Sequence, residues 1–323
     1  MPDRVLRLGG GRRLPPPVRP ARASAAAAAV LLSLLAAGPG RGGERPPAPE
    51  RHPLAAEGPV WLARGSVAPP RRVVTLAPSL TDEVLALGLG DRLVGVTTVD
   101  DAPEVRALPR VGGFTDPNPE AILGLRPDLV LWVTDGGAEE PVRRLAELSR
   151  TSSRPFGVLA LEVVSVADVL ATPRVVGEAL GAPEAGARLS REMTDEVERI
   201  RARARGLPRR RVLFVVGLDP LVVAGPGSFP DELLRISGCQ NAVGGKRPWP
   251  VYPLEKAVAD DPDLVVNAAV REPPEALDRL AAVPAVRRGA VVRLRSDDLL
   301  RPGPRMIRGL GELFDALQRE ARR

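Results

Sequence analysis

The chain has 323 residues, enough for two domains with full cores, and carries a formal net charge of +6 with one histidine and one cysteine. Residues 1–70 hold 10 arginines against 4 carboxylates, and the 36 basic residues beyond them are matched by 36 acidic ones, so the folded part lacks the broad positive face that nucleic acid requires. With only His52 and Cys239 available, Ser-His-acid and Cys-His catalysis, His-ligated zinc and an intramolecular disulfide are all excluded.

In chain order, Arg4, Arg7, Arg12, Arg13, Arg19 and Arg22 precede the apolar run AAAAAVLLSLLAA at 25–37. A basic start followed by a short apolar stretch predicts a secretory signal over 1–38 and a periplasmic protein. The run is short for a membrane span, and no cysteine follows it to carry a lipid. Residues 39–70 are rich in Pro, Gly, Ala and Arg without periodicity, which reads as a disordered linker that holds His52, the one histidine, with Trp61 incidental within it.

Structure is predicted to begin at Arg72-VVTLA, a short strand, and to continue as alternating strands and helices through 71–182. Ser79 and Asp82 have capping-box spacing ahead of a helix over Val84–Leu87. Leu93-VGVT is a strand, and Asn118-Pro119-Glu120 opens a helix with Asn as its cap. Leu129-VLWV and Gly157-VLAL are continuous apolar strands, as a parallel sheet covered on both faces requires. Helices over Glu139–Leu148 and Val166–Leu180 complete this first lobe.

Residues 183–206 predict one long helix. Leu189, Met193, Val197, Ile200 and Ala204 form a narrow apolar stripe, Pro183 suits its first turn, and Gly206 with Pro208 ends it. A second lobe follows over 207–323. Its strands are Val212-LFVVGL, Leu221-VVAG, Leu264-VVNA and Ala290-VVRL, and its helices are Glu232–Ile236 (opened by Ser228 and Asp231), Glu255–Ala259, Pro274–Ala281 and Pro304–Glu320. One pattern occurs in both lobes: Glu120-AILGLR-Pro127-Asp128-Leu129-Val130 and Glu255-KAVADD-Pro262-Asp263-Leu264-Val265. The fold class is therefore α/β: two Rossmann-like lobes with mostly parallel sheets, joined by one long helix, with a ligand cleft between them.

No glycine-rich turn follows the first strand, and the one at Gly225-Pro-Gly227 leads into Asp231 and Glu232, which would repel a phosphate, so no nucleotide site is expected. Cys239 reads as a buried, inert thiol. Of the nine aromatics, Phe114, Trp132, Phe229, Trp249 and Tyr252 fall in or beside predicted loops at strand ends. In an open α/β sheet ligands sit beyond those ends, so the five rings, with Arg301, are candidate lining for a large planar or greasy ligand. Glu120 and Glu255, equivalent in the two lobes, form an exposed carboxylate pair that could dock into arginine pockets of a two-fold partner.

Residues 72–97 (RVVTLAPSLTDEVLALGLGDRLVGVT), 108–131, Val223-AGPGSF and Trp249-PVYPLE resemble the helical-backbone periplasmic binding proteins of ABC importers, over roughly 71–320. The resemblance is greatest to cobalamin-binding members. Trp249 stands six residues before Glu255 as their Trp-Pro element does, and Phe114 and Trp132 match positions where they place rings on the corrin. It departs from them at Ala102, where an Asp-Tyr-Pro loop would carry a ring. The resemblance implies a monomeric, non-enzymatic carrier with no cofactor or metal of its own. Its ligand would be a corrinoid, or a ferric siderophore or haem, and its partner an ABC permease dimer docked through Glu120 and Glu255. A metal chelatase of related architecture is the reading of another class, which the lack of histidine in the folded part disfavours.

Overall fold

The computed structural model describes residues 59–134 and 137–321, so the predicted signal and the linker up to residue 58 lie outside the described residues. The rest of the expected linker is not wholly irregular. Val60–Ala63 forms a strand, β1, and Trp61 packs against the core instead of standing free.

In the first lobe β1 is followed by β2 (Val73–Thr75), helix α1 (Pro78–Ala86), β3 (Leu93–Gly95), α2 (Pro119–Gly124), β4 (Leu129–Val133), α3 (Glu139–Thr151), β5 (Gly157–Leu161) and α4 (Val166–Ala179). The sheet order is β1-β5-β4-β2-β3, all parallel except the antiparallel edge strand β1. The second lobe holds β6 (Arg211–Leu218), β7 (Leu221–Val223), α6 (Phe229–Ile236), the short β8 (Gln240–Asn241), α7 (Leu254–Ala259), β9 (Leu264–Asn267), α8 (Pro284–Arg287), β10 (Val291–Arg293) and α9 (Pro304–Ala321). There the order is β10-β9-β6-β7, with β8 also on β6 and only β7 antiparallel. Between the lobes runs α5 (Pro183–Ala204).

Three helices differ from the sequence reading in start, type or cap. Helix α1 begins at Pro78 with no side-chain cap, because proline in the first turn starts it early; Ser79 and Asp82 lie inside it, buried. Pro274–Leu280 is a 3-10 segment, short and confined between Pro273-Pro274 and Pro284. The complete capping box belongs to Ser165 and Asp168, at the start of α4.

The buried stripe of α5 is Gly186, Ser190, Met193, Val197, Ile200 and Ala204, so in its first half Ser190 takes the place expected of Leu189. The cause is a tight crossing with α4. A Cβ on Gly186 would sit 2.3 Å from the Pro173 carbonyl oxygen, and one on Gly177 would sit 2.8 Å from the Gly186 Cα. Ser190 then donates its hydroxyl proton to the Leu170 carbonyl at 2.7 Å.

Strand alternation divides the interior in three. Val73, Leu129, Leu131, Val212 and Phe214 join α5, α6 and α9 in one continuous core shared by both lobes. Val74, Val130 and Trp132 face an outer core of the first lobe under α2 and α3, while Leu213, Val215 and Val265 face an outer core of the second lobe under α7.

Candidate functional site

The loops that leave the carboxyl ends of the parallel strands meet along the seam between the lobes. Three of the expected rings pack against the core shared by the two lobes. Phe114, Phe229 and Trp249 are all half-buried against it. Phe114 follows Gly112, whose φ of 104 is open to glycine alone in practice, in a turn that returns to Pro117. Phe229 is the first residue of α6, behind the Ser228 cap, whose hydroxyl oxygen accepts from the Asp231 N–H at 3.3 Å.

Trp249 is held from both sides. The Gly225 N–H donates to the Pro248 carbonyl at 2.8 Å and the Val223 N–H to the Pro250 carbonyl at 3.3 Å. Gly225 is needed for this approach, since a Cβ there would lie 2.0 Å from the Arg247 carbonyl oxygen. The Ser228 hydroxyl also donates to the Gly225 carbonyl at 2.7 Å, so one glycine ties the Trp249 loop to the start of the Phe229 helix.

The other two rings are elsewhere. Trp132 is 0% exposed in the outer core of the first lobe, because it alternates with Leu131 and Val133, and those two take the inner face of β4. Tyr252 is 4% exposed in the outer core of the second lobe. Its hydroxyl donates to Asp260 and the Lys256 ammonium stands over its ring at 5.1 Å, so it fixes helix α7 instead of facing the seam. Burial and the neighbouring Asp260 raise its pKa.

Arg301 is at the seam, but engaged. Its Nη1 and Nη2 donate to the two oxygens of Asp101, in the first lobe, at 2.8 and 2.6 Å, and its Nε and Nη2 to Asp297 at 3.1 and 3.2 Å. Arg305 crosses the seam too, reaching Asp82 at 2.9 Å and Asp101 at 3.1 Å, and Arg308 pairs with Asp298. Burial disfavours the charge on Arg301, yet Asp101 and Asp297 overcome it and push its pKa above the ordinary arginine value. Burial likewise raises Asp82 to about 6, against the pull of Arg305 and Arg301. Beside it Glu83 is 1% exposed, neither carboxylate oxygen has a hydrogen-bond partner among the described residues, and burial with the charge of Asp82 lifts it to about 8.

Sequence reasoning missed this lattice. Its signal was two acid doublets, Asp100-Asp101 and Asp297-Asp298, and the arginines 301, 305 and 308 at helical spacing. Two shallow depressions flank it. One of about 450 Å³ is lined by Asp82, Leu85, Ala102, Pro103, Pro304 and Arg305, and one of about 410 Å³ lies between α5 and α9; the aromatic loops line neither.

Glu120 and Glu255 are both exposed, each the second residue of a six-residue helix. Cys239 is half-buried, and burial raises its thiol to about 11, which leaves it protonated and unreactive. Among the described residues no group of three or more His, Cys, Asp or Glu could hold a metal ion, and no helix is long and apolar enough to cross a membrane.

A family model described as periplasmic binding protein matches residues 73–297. The chain is similar to an uncharacterized ABC transporter substrate-binding lipoprotein, YvrC, of Bacillus subtilis, at 30% identity over 258 residues covering 77% of this chain and 80% of that one. It is 29% identical over 265 residues to a vitamin B12-binding protein of Salmonella typhimurium, covering 80% and 92%. Among solved structures it resembles the periplasmic heme-binding protein RhuT of Roseiflexus sp. RS-1 in apo form. That match has a TM-score of 0.67 at 28% identity and covers 78% of this chain and 99% of that one.

Proposed function

The chain belongs to the periplasmic binding protein family, and from that premise we propose that it captures a cobalamin-type corrinoid at the seam between its lobes and delivers it to an ABC permease. Proteins of this family are substrate-binding components of importers, not enzymes, and the ligand they hold is the transported substrate, not a cofactor. Export by the leader to a periplasm is part of the proposal.

The observation that carries the ligand reading is the placement of Phe114, Phe229 and Trp249. Three flat rings, two from loops and one from the first turn of α6, come from both lobes and pack, half-buried, against the core that the lobes share. The donors available to the ligand's metal support a corrinoid over haem. Tyr252 is committed to Asp260, and Met193 and Met306 are buried in the core. A corrinoid brings its own axial ligand and needs none from the protein, whereas a bare haem iron does.

Docking through Glu120 and Glu255 is supported by their matching places. Each sits eight residues before the Asp of a Pro-Asp-Leu-Val strand start, and each is solvent-exposed on a helix over its lobe's outer core. Calorimetric titration of residues 59–323 with cyanocobalamin tests the ligand: tight one-to-one binding is expected. Absence of heat at micromolar protein, with tight binding of hemin or a ferric siderophore instead, would move the ligand within the family.

A further inference from the structure

Arg301 is the one cation at the seam that the sequence singles out for ligand contact, and its partners decide what it can bind. Its side chain is 10% exposed, whereas that of Asp101 is 52% exposed, so the carboxylate stands on the solvent side of the guanidinium. Asp101 takes both terminal nitrogens in the end-on, two-bond geometry with which a ligand carboxylate would bind. Asp297 covers the remaining edge from the same lobe. Asp101 comes from the loop after β3 and Arg301 from the loop after β10, both beyond carboxyl ends of parallel strands, where this fold places ligands.

We propose that Asp101 is a specificity-determining residue: from the opposite lobe it occupies Arg301 as a built-in carboxylate, denying that cation to carboxylate-bearing chelates and leaving the seam to ligands whose periphery is uncharged amide. This rests on the corrinoid reading above. A corrinoid presents amides and has no need of the guanidinium. Haem presents two propionates and would have to displace Asp101, breaking its two charge-assisted hydrogen bonds from Arg301 and the one from Arg305 to gain two. Burial works against ionisation of Asp101, but its hydrogen bonds to Arg301 and the charges of Arg301 and Arg305 hold its pKa below the ordinary range. Those contacts favour the charged form of the substitute carboxylate.

The test replaces Asp101 by Ser, which removes the carboxylate that both terminal nitrogens share and leaves Asp297 on Nε and Nη2, and by Asn, which removes the charge but keeps an acceptor. The half-exposed position and the separate Arg305–Asp82 bridge across the seam keep the lobes together in both variants. Titrations with hemin and with cyanocobalamin read the ratio of affinities. Asp101→Ser is expected to raise the hemin-to-cyanocobalamin ratio about tenfold. Asp101→Asn should raise it less, and adding Arg301→Gln to Asp101→Ser should abolish the gain. A wild-type ratio equal to that of Asp101→Ser, or a gain that persists without Arg301, overturns the role of Asp101. Should no form bind cyanocobalamin, the corrinoid reading fails by itself, and citrate decides the present point. Millimolar citrate should raise the Tm of Asp101→Ser and not of the wild type or the double variant, and the absence of that difference rejects the proposal.

Discussion

The two lobes use the same short phrases and put them to different ends. Pro127-Asp128-Leu-Val and Pro262-Asp263-Leu-Val both turn a helix into a parallel strand. The residues before the two prolines, Arg126 and Asp261, are the only non-glycine residues with positive φ among those described, at 48 and 38. In each lobe the Asp N–H donates at 2.8 Å to a carbonyl at the start of the neighbouring strand, that of Arg72 just before β2 or of Arg211 at the head of β6. The carboxylates then part company. Asp128 is buried, accepts from the Arg71 and Arg72 N–H groups at 3.0 Å each and pairs with Arg154 at 2.9 Å; Asp263 is exposed and, among the described residues, accepts from the Arg211 N–H alone, at 2.7 Å.

Ser79-Leu-Thr-Asp82-Glu83 and Ser228-Phe-Pro-Asp231-Glu232 diverge in the same way. Ser228 caps its helix and Glu232 accepts from the Val166 N–H of the other lobe at 2.9 Å, whereas Ser79 lies within its helix and Glu83 is buried without a hydrogen-bond partner. A repeated phrase therefore sets the backbone turn, and the surroundings set what its carboxylate does.

The largest expected effect concerns the position at which the lobes are most alike. Glu120→Ala and Glu255→Ala should each impair ligand delivery to the permease to a similar degree, and together abolish it in an uptake assay, with ligand affinity unchanged. Loss from one lobe alone would break the symmetry.

Next, Trp132→Ala should destabilise by about 3–5 kcal/mol, the range for emptying a fully buried large aromatic site, read as a lowered Tm. A fall in ligand affinity with intact stability would return Trp132 to the cleft. Asp128→Ala should cost about 2–4 kcal/mol, since it strands two backbone N–H groups and a buried anion's partners, against about 1 kcal/mol or less for Asp263→Ala. Equal losses would mean that the two junctions are energetically equivalent after all.

A pH series sharpens the second contrast. Glu83 stays protonated in the folded state up to about pH 8, against 4.5 for the ordinary glutamate of the unfolded chain. Its contribution is fully present below 4.5 and is lost as pH rises towards 8, because the unfolded chain gives up the proton first. Glu83→Gln should therefore flatten the decline of Tm between those values, and Glu232→Gln should not.

The strands, the long helix and the paired Glu-to-Asp phrases were legible because apolar runs and proline signals are local. Which face of β4 carries Trp132 was not, since both faces of a buried parallel strand are apolar and its alternation has no polar member to orient it. β1 was hidden in a Pro- and Gly-rich stretch and is formed by pairing with β5, a contact between residues nearly a hundred apart. The arginine–aspartate lattice was equally non-local: Asp101 and Arg301 are 200 residues apart, and each alone reads as a solvated charge.

The central claim is that one ligand is gripped by rings from both lobes, and it is tested most directly by titrating cyanocobalamin into Phe114→Ala, Trp249→Ala and the double variant. Each single change should weaken binding about tenfold, on the scale of about 1–2 kcal/mol for one buried ring contact, and the double should weaken it further with Tm little changed. Binding that ignores the ring of either lobe would contradict a site shared between them.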